Sequence, residues 1–179
     1  MDLNPLPDPN YRQSMNSTSI RTPAGTRTAE LGLVLAGGLV AGALDLTFAF
    51  LFYGLSGAKP VRILQFIASG VLGQESFEMG VASATLGACL HFFISVCAAG
   101  IYYLASRRFP FLTRRVIFAG ATFGILAFLT MRFAVIPLSA VKSGPMKLSS
   151  IIGELCSHMF LFGIPIAYAA SRAARRRAR

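Results

Sequence analysis

Residues 31–54 read LGLVLAGGLVAGALDLTFAFLFYG, with a single charge, Asp45. A helix needs about 20 consecutive apolar residues to cross the hydrocarbon core of a bilayer. Three further runs have the same character. Residues 80–105, GVASATLGACLHFFISVCAAGIYYLA, carry no formal charge and one histidine, His91. Residues 116–139, VIFAGATFGILAFLTMRFAVIPLS, enclose Arg132. Residues 149–171, SSIIGELCSHMFLFGIPIAYAAS, enclose Glu154 and His158. Backbone groups in lipid have no water to bond, so each run must satisfy itself as a helix. The expected fold is all-α: a polytopic membrane protein built as a four-transmembrane-helix bundle.

The rest of the chain agrees with that reading. Of 179 residues, 54% are hydrophobic and 13% charged, against about 25% charged in soluble domains. Residues 1–29 are polar, rich in Pro, Ser, Thr and Arg, and without apolar periodicity. They are expected to form a disordered cytoplasmic arm. Residues 30–172 form the membrane domain, and residues 173–179 a basic cytoplasmic tail. Residues 60–73, PVRILQFIASGVLG, are too short to span. Pro60 suits a first helical turn, and Arg62, Gln65 and Ser69 fall on one face. The expectation is a short amphipathic helix lying in the interface of the first outer loop.

The formal charge of +10 would suggest nucleic acid in a soluble protein. Here the charge flanks apolar spans, so its partners are membrane lipids and nucleic acid is excluded. Twelve Lys and Arg residues lie in the arm, the loop SRRFPFLTRR (106–115) and the tail, against four in the two other loops. The positive-inside rule then places both termini in the cytoplasm.

Close packing of membrane helices relies on small residues. Gly38 and Gly42 form one small-xxx-small pair, and Gly120 and Gly124 another. The matching pairs predict a contact between spans one and three. Cys89, Cys97 and Cys156 all lie within spans. They read as small packing residues, not as a disulfide framework or metal site. No metal and no cofactor is expected.

An ionisable group inside a bilayer costs about 2.5–3.5 kcal/mol on the insertion scale, so such groups face the bundle and pair. Counting ~1.5 Å per residue from the outer ends places Arg132 and Glu154 in a shallow layer. Asp45, His91 and His158 fall deeper. An Arg132–Glu154 ion pair is expected, with Asp45 as competitor for Arg132. The five side chains could converge on one polar site. Two readings stay open: a network that fixes helix register, or a relay or binding pocket.

The chain contains no GxSxG, HExxH, P-loop or dinucleotide fingerprint, so no catalytic residue is assigned. Its landmarks run in the order His91-Phe92, Ser95, Tyr102-Tyr103, Phe109-Pro110, Gly120, Gly124, Met131, Pro137-Leu138, then Glu154 and His158. Over roughly the last 90 residues this order resembles the YagU-like family of four-span bacterial inner-membrane proteins. The acid and histidine stand four apart here and three apart in that family. The resemblance implies the topology and carries no reaction.

The leading expectation is a non-enzymatic membrane protein acting through self-association or a membrane-protein partner. The alternative is a small transporter or proton-linked permease using the buried Asp/His/Arg/Glu cluster. An intramembrane enzyme acting on lipid ranks last, since no nucleophile motif is present.

Overall fold

The computed structural model describes residues 24–142, 144 and 147–177. The four apolar runs become helices α1 (Ala24–Gly54), α3 (Gly80–Arg108), α5 (Val116–Leu138) and α6 (Leu148–Arg177). All four are long and apolar enough to cross a membrane, and the chain is a multi-pass, all-α membrane protein. Two short helices complete it: α2 (Pro60–Leu72) and α4 (Phe111–Arg114). Residues 1–23 of the expected arm and residues 178–179 of the tail lie outside the described residues. The boundary of the arm moves: residues 24–29 are helical and belong to α1, while α6 stays helical through Arg177.

Small residues, several of them serines, are prominent in the interior, while many large apolar side chains face outward. Ala41, Ala68, Ala167 and Ala173 are fully buried, as are Ser69, Ser83, Ser95 and Ser171 to within 1%. Phe93, Ile117 and Phe133 remain 66%, 71% and 73% exposed. That distribution suits lipid as solvent, because small residues let backbones approach while large ones meet acyl chains.

The glycine pairs sit in packed seams, but not against each other. A Cβ on Gly38 would fall 2.8 Å from the Cα of Val96, and one on Gly42 would fall 2.7 Å from Ser95 Oγ. Both seat α1 on α3. A Cβ on Gly120 would fall 2.8 Å from the Cα of Ile164, and one on Gly124 would lie on the His158 carbonyl. Both seat α5 on α6. The expected contact between spans one and three is therefore replaced by two separate seams. Helix α1 packs on α3 and α6, and α6 packs on α5. Helices α3 and α5, at the two ends of this row, scarcely touch.

Both prolines within spans are absorbed without ending the helix. A proline cannot donate to the carbonyl four residues back. The helix answers by widening one turn upstream into a π segment, at Met131–Val135 before Pro137 and at His158–Gly163 before Pro165. These two turns carry Arg132 and His158, and π turns recur at functional sites.

Helix α2 is present, but its polar face points inward. Gln65 is 3% exposed and donates through Nε2 to Gly80 O at 3.0 Å, and Ser83 Oγ donates to Ser76 O at 2.5 Å. Phe66 and Val71 face outward. The physical reason is that polar side chains find better partners in the backbone of α3 than in lipid, which takes the apolar face. The backbone of α2 crosses α3 at Gly87, whose Cβ position is occupied by the Leu64 carbonyl. At its other end Gly70 O accepts from Ala140 N at 3.1 Å, just past α5. So α2 bridges α3 and the end of α5. Replacing Gly87 with Val should detach it: amide exchange across residues 60–72 is expected to rise at least ~10-fold, an opening cost lowered by at least ~1.4 kcal/mol. The four spans should keep their protection, and equal protection of 60–72 in both proteins would refute this docking.

A candidate site in a lateral cleft

Separation of α3 from α5 leaves a cleft of about 820 Å³. Its back is α1 and α6. Its sides are Phe93, Ile94 and Ile101 of α3, and Leu126, Ala127 and Thr130 of α5. Ile63, Phe66 and Ile67 of α2 roof it. At the arginine-rich end the floor is closed by Tyr102 and Phe123, whose rings meet edge to face at 5.0 Å. Tyr102 is fixed there by its hydroxyl, which donates to Leu112 O at 2.8 Å. Between floor and roof the cleft faces sideways, since Phe93, Ile101 and Leu126 line it and remain exposed.

Asp45, His91, Arg132, Glu154 and His158 all line this one cleft. The deep layer assembles around Asp45. Ser157 Oγ donates to Asp45 Oδ1 at 2.6 Å, and His158 Nδ1 lies 3.6 Å from the same oxygen. His158 Nδ1 is also 2.9 Å from Glu154 O. Carbonyl and carboxylate oxygens only accept, so Nδ1 carries a proton and Nε2 is the ring nitrogen left for another partner. The ring is held by Phe128 and Phe162 at 5.8 and 5.6 Å. By the same reasoning His91 Nε2 donates to Gly42 O at 2.9 Å, which leaves Nδ1 for another partner.

The shallow layer departs from expectation. Glu154 accepts a hydrogen bond from the Tyr53 hydroxyl, not from Arg132. Among the described residues Arg132 has neither Glu154 nor Asp45 within 4.0 Å. The π turn at 131–135 changes which way Arg132 projects, a change that depth counting along an ideal helix does not contain. The result is a cation facing the cleft without a carboxylate, while both acids are bonded by hydroxyls.

Tyr53 and Ser157 were missed in the sequence reading although a signal existed. Tyr53 lies eight residues after Asp45, two turns along the same face, and Ser157 lies three after Glu154. The buried Glu30, 4% exposed and bonded by Tyr103 at 2.5 Å, was missed because it lies at the boundary of the arm. The three cysteines are exposed on the bundle, not packed in its core, and Cys97 lines the cleft. Among the described residues no cluster of His, Cys, Asp and Glu could hold a metal ion.

No family model, curated protein or solved structure matches this chain. Fold and cleft together define its class, a four-span membrane protein with a polar-backed, laterally facing cavity.

Proposed function

We propose that the protein is a small non-enzymatic permease for an amphipathic solute that enters its cleft sideways from the bilayer. In this reading it sits in a bacterial inner membrane, with the arginine-rich end and both termini in the cytoplasm. The observation that carries the proposal is the cleft itself. An apolar cavity of about 820 Å³ with Asp45, Arg62, His91, Arg132, Glu154 and His158 on its walls matches the usual anatomy of a small-molecule site. Floor residues Tyr102 and Phe123 close one end, as a one-sided access state requires. Asp45, Glu154 and the free nitrogens of His91 and His158 supply groups for a coupled proton. The self-association reading is weaker, because Gly38, Gly42, Gly120 and Gly124 are consumed inside the bundle.

Cys97 offers a direct test, because it lines the cleft. A Cys89→Ser, Cys156→Ser protein in liposomes keeps Cys97 as its single thiol. Both a lipophilic maleimide and a small charged thiosulfonate are expected to modify it. Ala127→Trp, which fills the opposite wall, should slow both reactions. Should Cys97 react with the charged reagent only after denaturation, the cleft admits no polar group and the permease reading fails.

A further inference from the structure

A second cavity lies at the arginine-rich end, away from the cleft. It encloses about 340 Å³ and is lined by Thr113, Arg114, Ser171, Ala174 and Arg175. We propose that it binds a phosphate group. This site is independent of the permease reading, since none of its residues lines the cleft.

Three observations support it. Ser171 is 1% exposed, and among the described residues its hydroxyl has no hydrogen-bond partner. A buried hydroxyl without a partner is uncommon, because desolvating it has no return. Ser171 lines the cavity, where a ligand oxygen would supply the missing bond. Arg114 and Arg175 line the same cavity, and among the described residues neither has a carboxylate within 4.0 Å. The one acid described at this end, Glu30, is bonded to Tyr103. Finally, α5 begins at Val116, two residues after Arg114. The first N–H groups of a helix lack intrahelical acceptors and carry its positive end.

Among the described residues no acid lines the cavity. The Thr113 hydroxyl donates to Pro110 O at 3.0 Å and is not free to donate elsewhere. The donors left are two guanidiniums and one serine hydroxyl, which suit a tetrahedral oxyanion better than a single planar carboxylate. Arginine makes this choice specific, because its fork holds two oxygens at once. The source is a phospholipid headgroup, whose phosphate lies at the depth of a span terminus, or free phosphate from the adjoining solution.

The test uses the full chain in neutral detergent with two probes, inorganic phosphate and a short-chain phosphatidylglycerol, followed by a binding-induced rise in melting temperature. Ser171→Ala removes an unpartnered hydroxyl and should leave the fold intact. It is expected to weaken binding about tenfold, the loss of one hydrogen bond to a charged group. Arg114→Gln with Arg175→Gln should abolish it. Arg172→Gln, whose guanidinium stacks over Tyr168 outside the cavity, should leave it unchanged. Binding of both probes supports a site for free phosphate, and binding of the lipid alone supports a headgroup site. No binding of either probe overturns the proposal. So does lipid binding that falls equally in Arg172→Gln and Arg175→Gln, since that reports net charge alone.

Discussion

Gly124→Ala is expected to lower the stability of the bundle by at least ~3 kcal/mol, the upper end of what overpacking costs. The same substitution at Gly100 should be neutral or stabilising by up to ~1 kcal/mol, since alanine is the better helix former. Both changes add one methyl group to a helix interior. They differ in what the methyl meets. Gly100 has no foreign atom within 4 Å, whereas the Cβ of residue 124 would lie on the carbonyl of His158 and 2.7 Å from the Cα of Met159. Those are backbone atoms of α6 and cannot rotate away. The facing position repeats the constraint, since Gly163 would press on Gly120 O. Relieving either clash means separating α5 from α6. Reversible unfolding in mixed detergent–SDS micelles gives the difference between the two variants. Equal stabilities would mean that α5 and α6 do not meet backbone to backbone.

Tyr103→Phe should cost about 2 kcal/mol, in the range for a hydrogen bond to a charged group. The hydroxyl of Tyr103 reaches Glu30 Oε2 at 2.5 Å, and Oε1 of the same carboxylate has no partner. Removing the hydroxyl therefore takes from a 4% exposed carboxylate its hydrogen bond from Tyr103. A double-mutant cycle isolates the interaction. In a Glu30→Ala background the same Tyr103→Phe change should cost less than ~0.5 kcal/mol. A cost that persists undiminished there would assign Tyr103 a packing role and remove the Glu30 bond from the account.

These two sites lie on seams of different kinds. Gly124 belongs to a close-approach seam where atoms are absent by design of the sequence. Glu30 belongs to a polar clasp between the start of α1 and the end of α3. Small-xxx-small spacing marked the glycines of the first seam in the sequence, but assigned them the wrong partner helix. The second stayed hidden, because a lone glutamate at the edge of a polar arm looks solvated until Tyr103 is folded beside it.

What the sequence by itself determined is the number of spans and their helical state. Lipid offers no alternative hydrogen bonds, so a run of about 20 apolar residues has one solution. It also determined which ionisable residues are costly to place, and Asp45, His91, Arg132, Glu154 and His158 all line the cleft. Only the tertiary structure decided who partners whom. Helix periodicity fixes direction around one axis but says nothing of which helix stands opposite, so Gly38 and Gly42 found α3 while Gly120 and Gly124 found α6. Periodicity also assumes an ideal turn. The π turns before Pro137 and Pro165 break that assumption, which is how Glu154 came to Tyr53 and Arg132 was left facing the cleft without a carboxylate. The cleft itself follows from the same cause: it exists because α3 and α5 stand at opposite ends of the packing order, a property of no single segment.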